Sequence, residues 1–125
     1  MKNINRVAGG FKAKSAGKVF EKIVQSYFDR EKITYLHLKT CMMTSCRSCR
    51  KKIFVLVPGM SGQPDYLVFM PNGKLVLIEL KTGRGTMTDL QLQIRENYAK
   101  LGFCYYIVHD NLDEVIRIIG LEKEV

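Results

Sequence analysis

No stretch of this chain approaches the ~20 consecutive apolar residues that a membrane-spanning helix needs, and residues 1–10 contain no secretory apolar core. The expectation is an intracellular, cytoplasmic protein with no membrane partner. Without an export signal, the four cysteines are expected as reduced thiols or metal ligands rather than disulfides. Internal repeats and low-complexity tracts are absent, which excludes solenoid architectures. Acidic residues are scarce, 12 Asp plus Glu against 20 Lys plus Arg, for a net charge of +8. A basic surface on a small domain suits a phosphate-rich partner, most simply nucleic acid. Basic residues gather at Lys12, Lys14, Lys18 and Lys22, and again at Arg47, Arg50, Lys51 and Lys52. These segments carry few acids and hold the candidate DNA-binding residues.

What is present reads as one domain of 125 residues, 46% hydrophobic and 26% charged. Residues 1–14 suggest a flexible basic arm with Gly9-Gly10 inside it, and 15–125 the folded domain. Ser15 fits the N-cap of a helix to about Arg30, with Val19, Phe20, Ile23, Val24, Tyr27 and Phe28 as its buried stripe. Residues 33–39 and 53–57 read as strands, separated by a Cys-rich basic loop at 40–52. Strands near 66–70 and 75–81 are apolar on both faces, so both faces are expected to be covered. A helix follows from about Thr88 to Leu101, carrying Leu90, Ile94, Tyr98 and Leu101, with Gly102 as its stop. Then come a strand at 103–108 and a last helix, opened by Asn111 and Glu114 as a capping box and carrying Val115, Ile116 and Ile119. The fold class is α/β, a mixed sheet flanked by helices in the order α-β-β-β-β-α-β-α.

The informative feature is split across two of these strands. Gly62-Gln63-Pro64-Asp65 opens one, and Glu79-Leu80-Lys81 closes the next. Between them, Pro71-Asn72-Gly73 fits a three-residue loop, with Pro and Asn at the central positions of a type I turn and Gly at the following left-handed position. That loop pairs Met70 with Lys74, Leu67 with Leu77 and Asp65 with Glu79, and Lys81 shares the face of Glu79. A two-residue Asn72-Gly73 turn would pair Asp65 with Leu80 and send Glu79 to the other face. In the first register two carboxylates and the Leu80 carbonyl offer oxygen ligands to a divalent cation, with an ammonium beside them.

These residues resemble the PD-(D/E)xK nuclease superfamily, and within it the VRR-Nuc (virus-type replication-repair nuclease) family. The likeness runs through Glu21, Gly62-Gln63-Pro64-Asp65, Glu79-Leu80-Lys81-Thr82-Gly83, Gly85, Thr88, Gln91 and Gly102, and covers roughly residues 15–115. It implies a restriction-endonuclease-like core of bacterial or phage origin. Mg²⁺ or Mn²⁺ would lie at Asp65, Glu79 and the Leu80 carbonyl, with Lys81 as the catalytic lysine. It also implies that Glu21 adds a carboxylate and Gln91 lies near the metal, in a homodimer acting on branched or junction DNA. By residue pattern alone, Glu21 is a solvated helix residue, and Thr88 with Gln91 forms a capping box. Ser15 to Glu21 also looks like the Gly-x-x-x-Glu opening of Holliday-junction resolvases, with the same chemistry and a different substrate. From another class, a non-catalytic nucleic-acid-binding module remains as the rival.

His37, Cys41, Cys46 and Cys49 follow the spacing His-x3-Cys-x4-Cys-x2-Cys, a set that offers one imidazole and three thiolates to structural zinc. Only Cys46 and Cys49 have knuckle spacing, and His37 alternates within a strand. Free thiols are the simpler reading.

Overall fold

The computed structural model describes residues 4–38, 41–57 and 59–124, with the side chains of 4–15, 41–43, 54 and 56 outside the described part. Among the described residues nine elements follow in order: α1 (Ile4–Arg30), β1 (Thr34–His37), β2 (Cys41–Ser45), β3 (Lys52–Leu56), β4 (Tyr66–Phe69), β5 (Leu75–Lys81), α2 (Asp89–Lys100), β6 (Cys104–His109) and α3 (Leu112–Lys123). Four strands make a mixed sheet in the order β1-β4-β5-β6, while β2 and β3 form a separate two-stranded ribbon. Among the described residues, no helix is long and apolar enough to cross a membrane.

The hairpin register is the one its turn chemistry calls for. Tyr66 lies opposite Ile78, Leu67 opposite Leu77 and Phe69 opposite Leu75. The Met70 N–H donates to the Lys74 carbonyl at 2.9 Å, and Gly73, at φ +84°, donates to the Met70 carbonyl at 3.0 Å. One step beyond the ladder, Asp65 falls opposite Glu79. On the other flank β5 runs parallel to β6, with Glu79 beside Ile107 and Lys81 beside His109.

Side-chain alternation then divides the sheet. Tyr66, Val68, Met70, Val76, Ile78 and Leu80 share a buried cluster with Phe20, Val24 and Phe28 of α1 and Val115, Ile118 and Ile119 of α3. The opposite face, which carries Leu77, Glu79 and Lys81, is covered only in part. Leu77 is buried but Phe69 is 43% exposed, so the expectation of two fully covered faces is corrected. With one short helix on that side, α2 roofs only the end of the sheet that holds the charged residues.

Other expectations shift in similar ways. The first helix begins at Ile4 rather than at Ser15, so residues 4–14 continue it; alanines and lysines around Gly9-Gly10 are good helix formers and offset the glycine penalty. Its buried stripe narrows to Phe20, Val24, Tyr27 and Phe28, leaving Val19 and Ile23 exposed. Residues 41–45, read as loop from their composition, pair antiparallel with 52–56, because a partner strand satisfies the backbone whatever the side chains prefer. The element order therefore gains a strand. In α2, Leu90 and Leu101 are exposed, and in α3 Ile118 replaces Ile116 on the inner face.

The end of the hairpin away from the charged residues is closed by Glu122 of α3. Its carboxylate pairs with Lys74 at 3.0 Å and accepts from the Tyr106 hydroxyl at 2.6 Å, while its carbonyl accepts from the Asn72 amide at 3.0 Å. The Tyr106 hydroxyl, then Lys74, holds the carboxyl below its ordinary range. Its contribution to stability is therefore full above the unfolded value and lost as the pH falls through the folded one. Glu122→Ala should lower stability in urea melts by about 2–3 kcal/mol at pH 7, with a smaller deficit in acid. An equal deficit at both pH values would contradict the charge-based account.

Candidate metal centre

Pro64 and Gly62 set the entry to β4. Gly62 adopts φ +76°, and a Cβ there would lie 2.7 Å from Leu90 Cγ and 2.8 Å from Ile94 Cδ1, so the chain presses directly on α2. Tyr98 of α2 donates its hydroxyl to Gln63 Oε1 at 2.6 Å. This is the work of the apolar stripe foreseen on α2: it clamps the segment that delivers Asp65. Gln63 belongs to the motif and Tyr98 to the apolar stripe of α2, but only the packing joins them.

Asp65 and the backbone of β5 meet at a break in the ladder. Antiparallel bonding alternates, so the bonded pair Met70/Lys74 implies bonded positions at Tyr66/Ile78 and then Pro64/Leu80. Proline has no N–H to give the Leu80 carbonyl. In turn, the Leu80 N–H donates to Asp65 Oδ2 at 2.7 Å. The proline thus keeps a carbonyl oxygen out of the ladder beside two carboxylates.

Glu79 is 4% exposed. Its Oε1 accepts from the Gln91 amide at 3.2 Å and pairs with Lys81 Nζ at 3.4 Å. Lys81 also donates to Gln91 Oε1 at 3.1 Å, so Gln91 bridges the two. Gln91 completes the capping box as well: its Oε1 accepts from Thr88 N–H at 2.9 Å and its own N–H donates to Thr88 Oγ1 at 3.2 Å. The helix start and the site are one network. The loop after β5 closes against Lys81 because Gly85 lacks a Cβ, which would otherwise lie 3.1 Å from the Thr82 carbonyl oxygen and 3.5 Å from Lys81 Cδ. Asp110 and His109, to which sequence pattern assigns nothing, pin that loop through Gly83 N–H at 2.7 Å and the Gly85 carbonyl at 3.2 Å.

Burial, and then the neighbouring Asp65, pushes the Glu79 carboxyl up to about 7, against the pull of Lys81. Asp65 is raised too, by burial first, with the Leu80 N–H opposing and Glu21 adding repulsion. Among the described residues, Glu79 Oε2 and the Tyr105 hydroxyl are the buried side-chain polar atoms without a hydrogen-bond partner. Two crowded carboxylates, one with an unmatched buried oxygen, next to a carbonyl that its proline neighbour cannot bond, form a donor set that fits a hard divalent cation.

The other candidates come from outside the hairpin. Glu21 comes from α1, across the sheet, near enough for its charge to act on Asp65 and Tyr66. Even so, among the described residues no three His, Cys, Asp or Glu side chains gather closely enough to hold a metal. The possible zinc ligands come from two separate sheets. His37 stacks on Tyr66 with centroids 4.7 Å apart and lies 3.3 Å from the Gln25 amide. Cys46 and Cys49 sit at the tip of the separate ribbon; the Cys41 side chain lies outside the described part. Arg47, Arg50, Lys51 and Lys52 are exposed at that same tip and Lys18 is exposed on α1, whereas the side chains of Lys12 and Lys14 lie outside the described residues. A hollow of about 440 Å³ against Ile33, Phe69, Met70 and Pro71 lies at the far end of the hairpin and holds none of these groups.

No family model, curated protein or solved structure matches this chain.

A raised carboxyl makes a signed prediction for the metal-free protein. Ionising Glu79 opposes folding, so its contribution is most favourable below the unfolded value of 4.5 and is lost as the pH rises through about 7. Glu79→Gln should raise stability at pH 8 by about 2 kcal/mol and flatten the slope of stability between pH ~5 and ~8. An unchanged slope in thermal melts would show that Glu79 does not titrate in that window.

Proposed function

We propose that this protein is a metal-dependent nuclease of the PD-(D/E)xK type, hydrolysing phosphodiester bonds in DNA. The observation that carries the reading is the cross-strand placement of Asp65 and Glu79, with Lys81 on the Glu79 face and Gln91 bonded to both Glu79 and Lys81. Asp65, Glu79 and the Leu80 carbonyl would hold Mg²⁺ or Mn²⁺, and the cation, when bound, would acidify a water and draw charge from the phosphate oxygens. The chain's own groups do the rest. Gln91 fixes the Lys81 ammonium beside Glu79, where its N–H groups orient the attacking water or stabilise the charge that builds on the phosphoryl oxygens. The free N–H groups at the start of α2 lie on the same side and favour phosphate. The exposed cations of the β2–β3 tip and of α1 hold backbone phosphates without reading sequence.

The likeness to VRR-Nuc enzymes supports branched DNA as the substrate and two copies as the working assembly. A four-way junction is the second reading. It rests on the likeness of Gly17 through Glu21 to the Gly-x-x-x-Glu opening of resolvases.

Incubation with Mg²⁺ or Mn²⁺ on single-stranded, duplex, flap and four-way DNA should give cleavage that chelation abolishes. Asp65→Ala and Lys81→Ala should each reduce the rate by at least about a hundredfold while leaving DNA binding within about twofold. Symmetric paired cuts confined to four-way junctions would select the resolvase reading. Cleavage that survives both substitutions would refute the site, and binding without cleavage of any substrate would make the protein a binding module.

A further inference from the structure

Two thiols at the tip of the basic ribbon have no part in the hydrolytic reading. Cys46 and Cys49 bracket the turn between β2 and β3. The Cys46 N–H donates to the Lys51 carbonyl at 2.8 Å, the Arg50 N–H donates to the Cys46 carbonyl at 2.9 Å, and Arg50 adopts φ +59° to close the loop. A turn closed by a bond four residues long brings side chains three apart onto one side. The Ser48 hydroxyl lies 3.2 Å from Cys46 Sγ, placed to donate to a thiolate. Cys49 is exposed, and so are Arg47, Arg50, Lys51 and Lys52 around it. Sulfur that faces hydroxyl or amide donors is stabilised as the anion. Hydrogen bonding from Ser48 and then Cys49 draws the Cys46 thiol down to about 6. Cys104 is partly buried, as Cys46 is, but lies within β6 rather than at the turn.

We propose that Cys46 and Cys49 form a reversible redox pair, a site at which peroxides oxidise this protein, with Cys46 as the nucleophile and Cys49 as the resolving thiol. In the first step Cys46 sulfur attacks a peroxide oxygen. The S–O bond forms and the O–O bond breaks, so the sulfur is oxidised to a sulfenic acid and the peroxide is reduced, its leaving oxygen taking a proton to depart as water or alcohol. In the second, Cys49 sulfur attacks Cys46 sulfur. The S–S bond forms, the S–O bond breaks, and the hydroxide leaves as water with the proton from the Cys49 thiol. A dithiol reductant reverses the change by exchange, becoming a disulfide itself.

The test uses wild-type protein treated with hydrogen peroxide, blocked with an alkylating reagent and digested with trypsin without reductant. Cleavage after Arg47 separates the two cysteines, so a Cys46–Cys49 bond appears as peptides 40–47 and 48–50 joined by a bridge that dithiothreitol releases. Cys41→Ser should keep that bridge, and Cys46→Ser and Cys49→Ser should both lose it. In Cys49→Ser, the sulfenic acid on Cys46 should accumulate and be captured by dimedone. Before oxidation, iodoacetamide at pH 7 should label Cys46 about tenfold faster than Cys104. A bridge that persists in Cys46→Ser would overturn the proposal, as would oxidation giving only cross-links between chains or equal labelling of Cys46 and Cys104.

Discussion

Everything at the candidate centre depends on one backbone bond at the opposite end of the hairpin, from the Met70 N–H to the Lys74 carbonyl. Strand side chains alternate, so this bond sets the face of every residue in β4 and β5. It sends Tyr66, Val68, Val76 and Ile78 into the main core, and Glu79 with Lys81 towards α2. A slip of one residue would bury the charges among Phe28 and Val115 and expose the core. The hydrophobic cluster and the polar site therefore enforce the same register, each making the alternative expensive for the other.

The polar site is held in a low-solvent environment that two ladder irregularities create. Pro64 has no N–H to give the Leu80 carbonyl, and the Leu80 N–H donates instead to the Asp65 carboxylate. α2 then lies over the break, tied down by Leu90 and Ile94 on Gly62 and by Tyr98 on Gln63. Gln91 serves the helix cap and the Glu79–Lys81 pair with one side chain, so the beginning of α2 cannot unwind without loosening the centre. The desolvation that raises Glu79 is the cost of this closure. A cation in the same place would offset it, because it attracts the charged carboxylate that burial disfavours.

Much of this was legible in the chain. Pro71-Asn72-Gly73 identified the turn, Thr88 and Gln91 the capping box, and Gly102 the end of α2, because each acts over a few residues. The misreadings arose where distant partners decide. Residues 41–45 look like loop until 52–56 pair with them, and Val19, Ile23 and Ile116 fit an apolar stripe until the actual contacts of α1 and α3 leave them outside. Glu21 matched a family pattern, and the packing of α1 is what brings its charge to bear on Asp65.

The amino-acid sequence by itself determined the register, and with it the cross-strand meeting of Asp65 and Glu79 and the placement of Lys81, since turn geometry is a short-range property of Pro, Asn and Gly. Only the tertiary structure decided how deeply Glu79 is buried, that Gln91 joins it to Lys81, and that the charges of Glu21 and His37 act on Asp65. Burial and electrostatic surroundings are sums over neighbours from α2, β6 and α1, and no local pattern contains them.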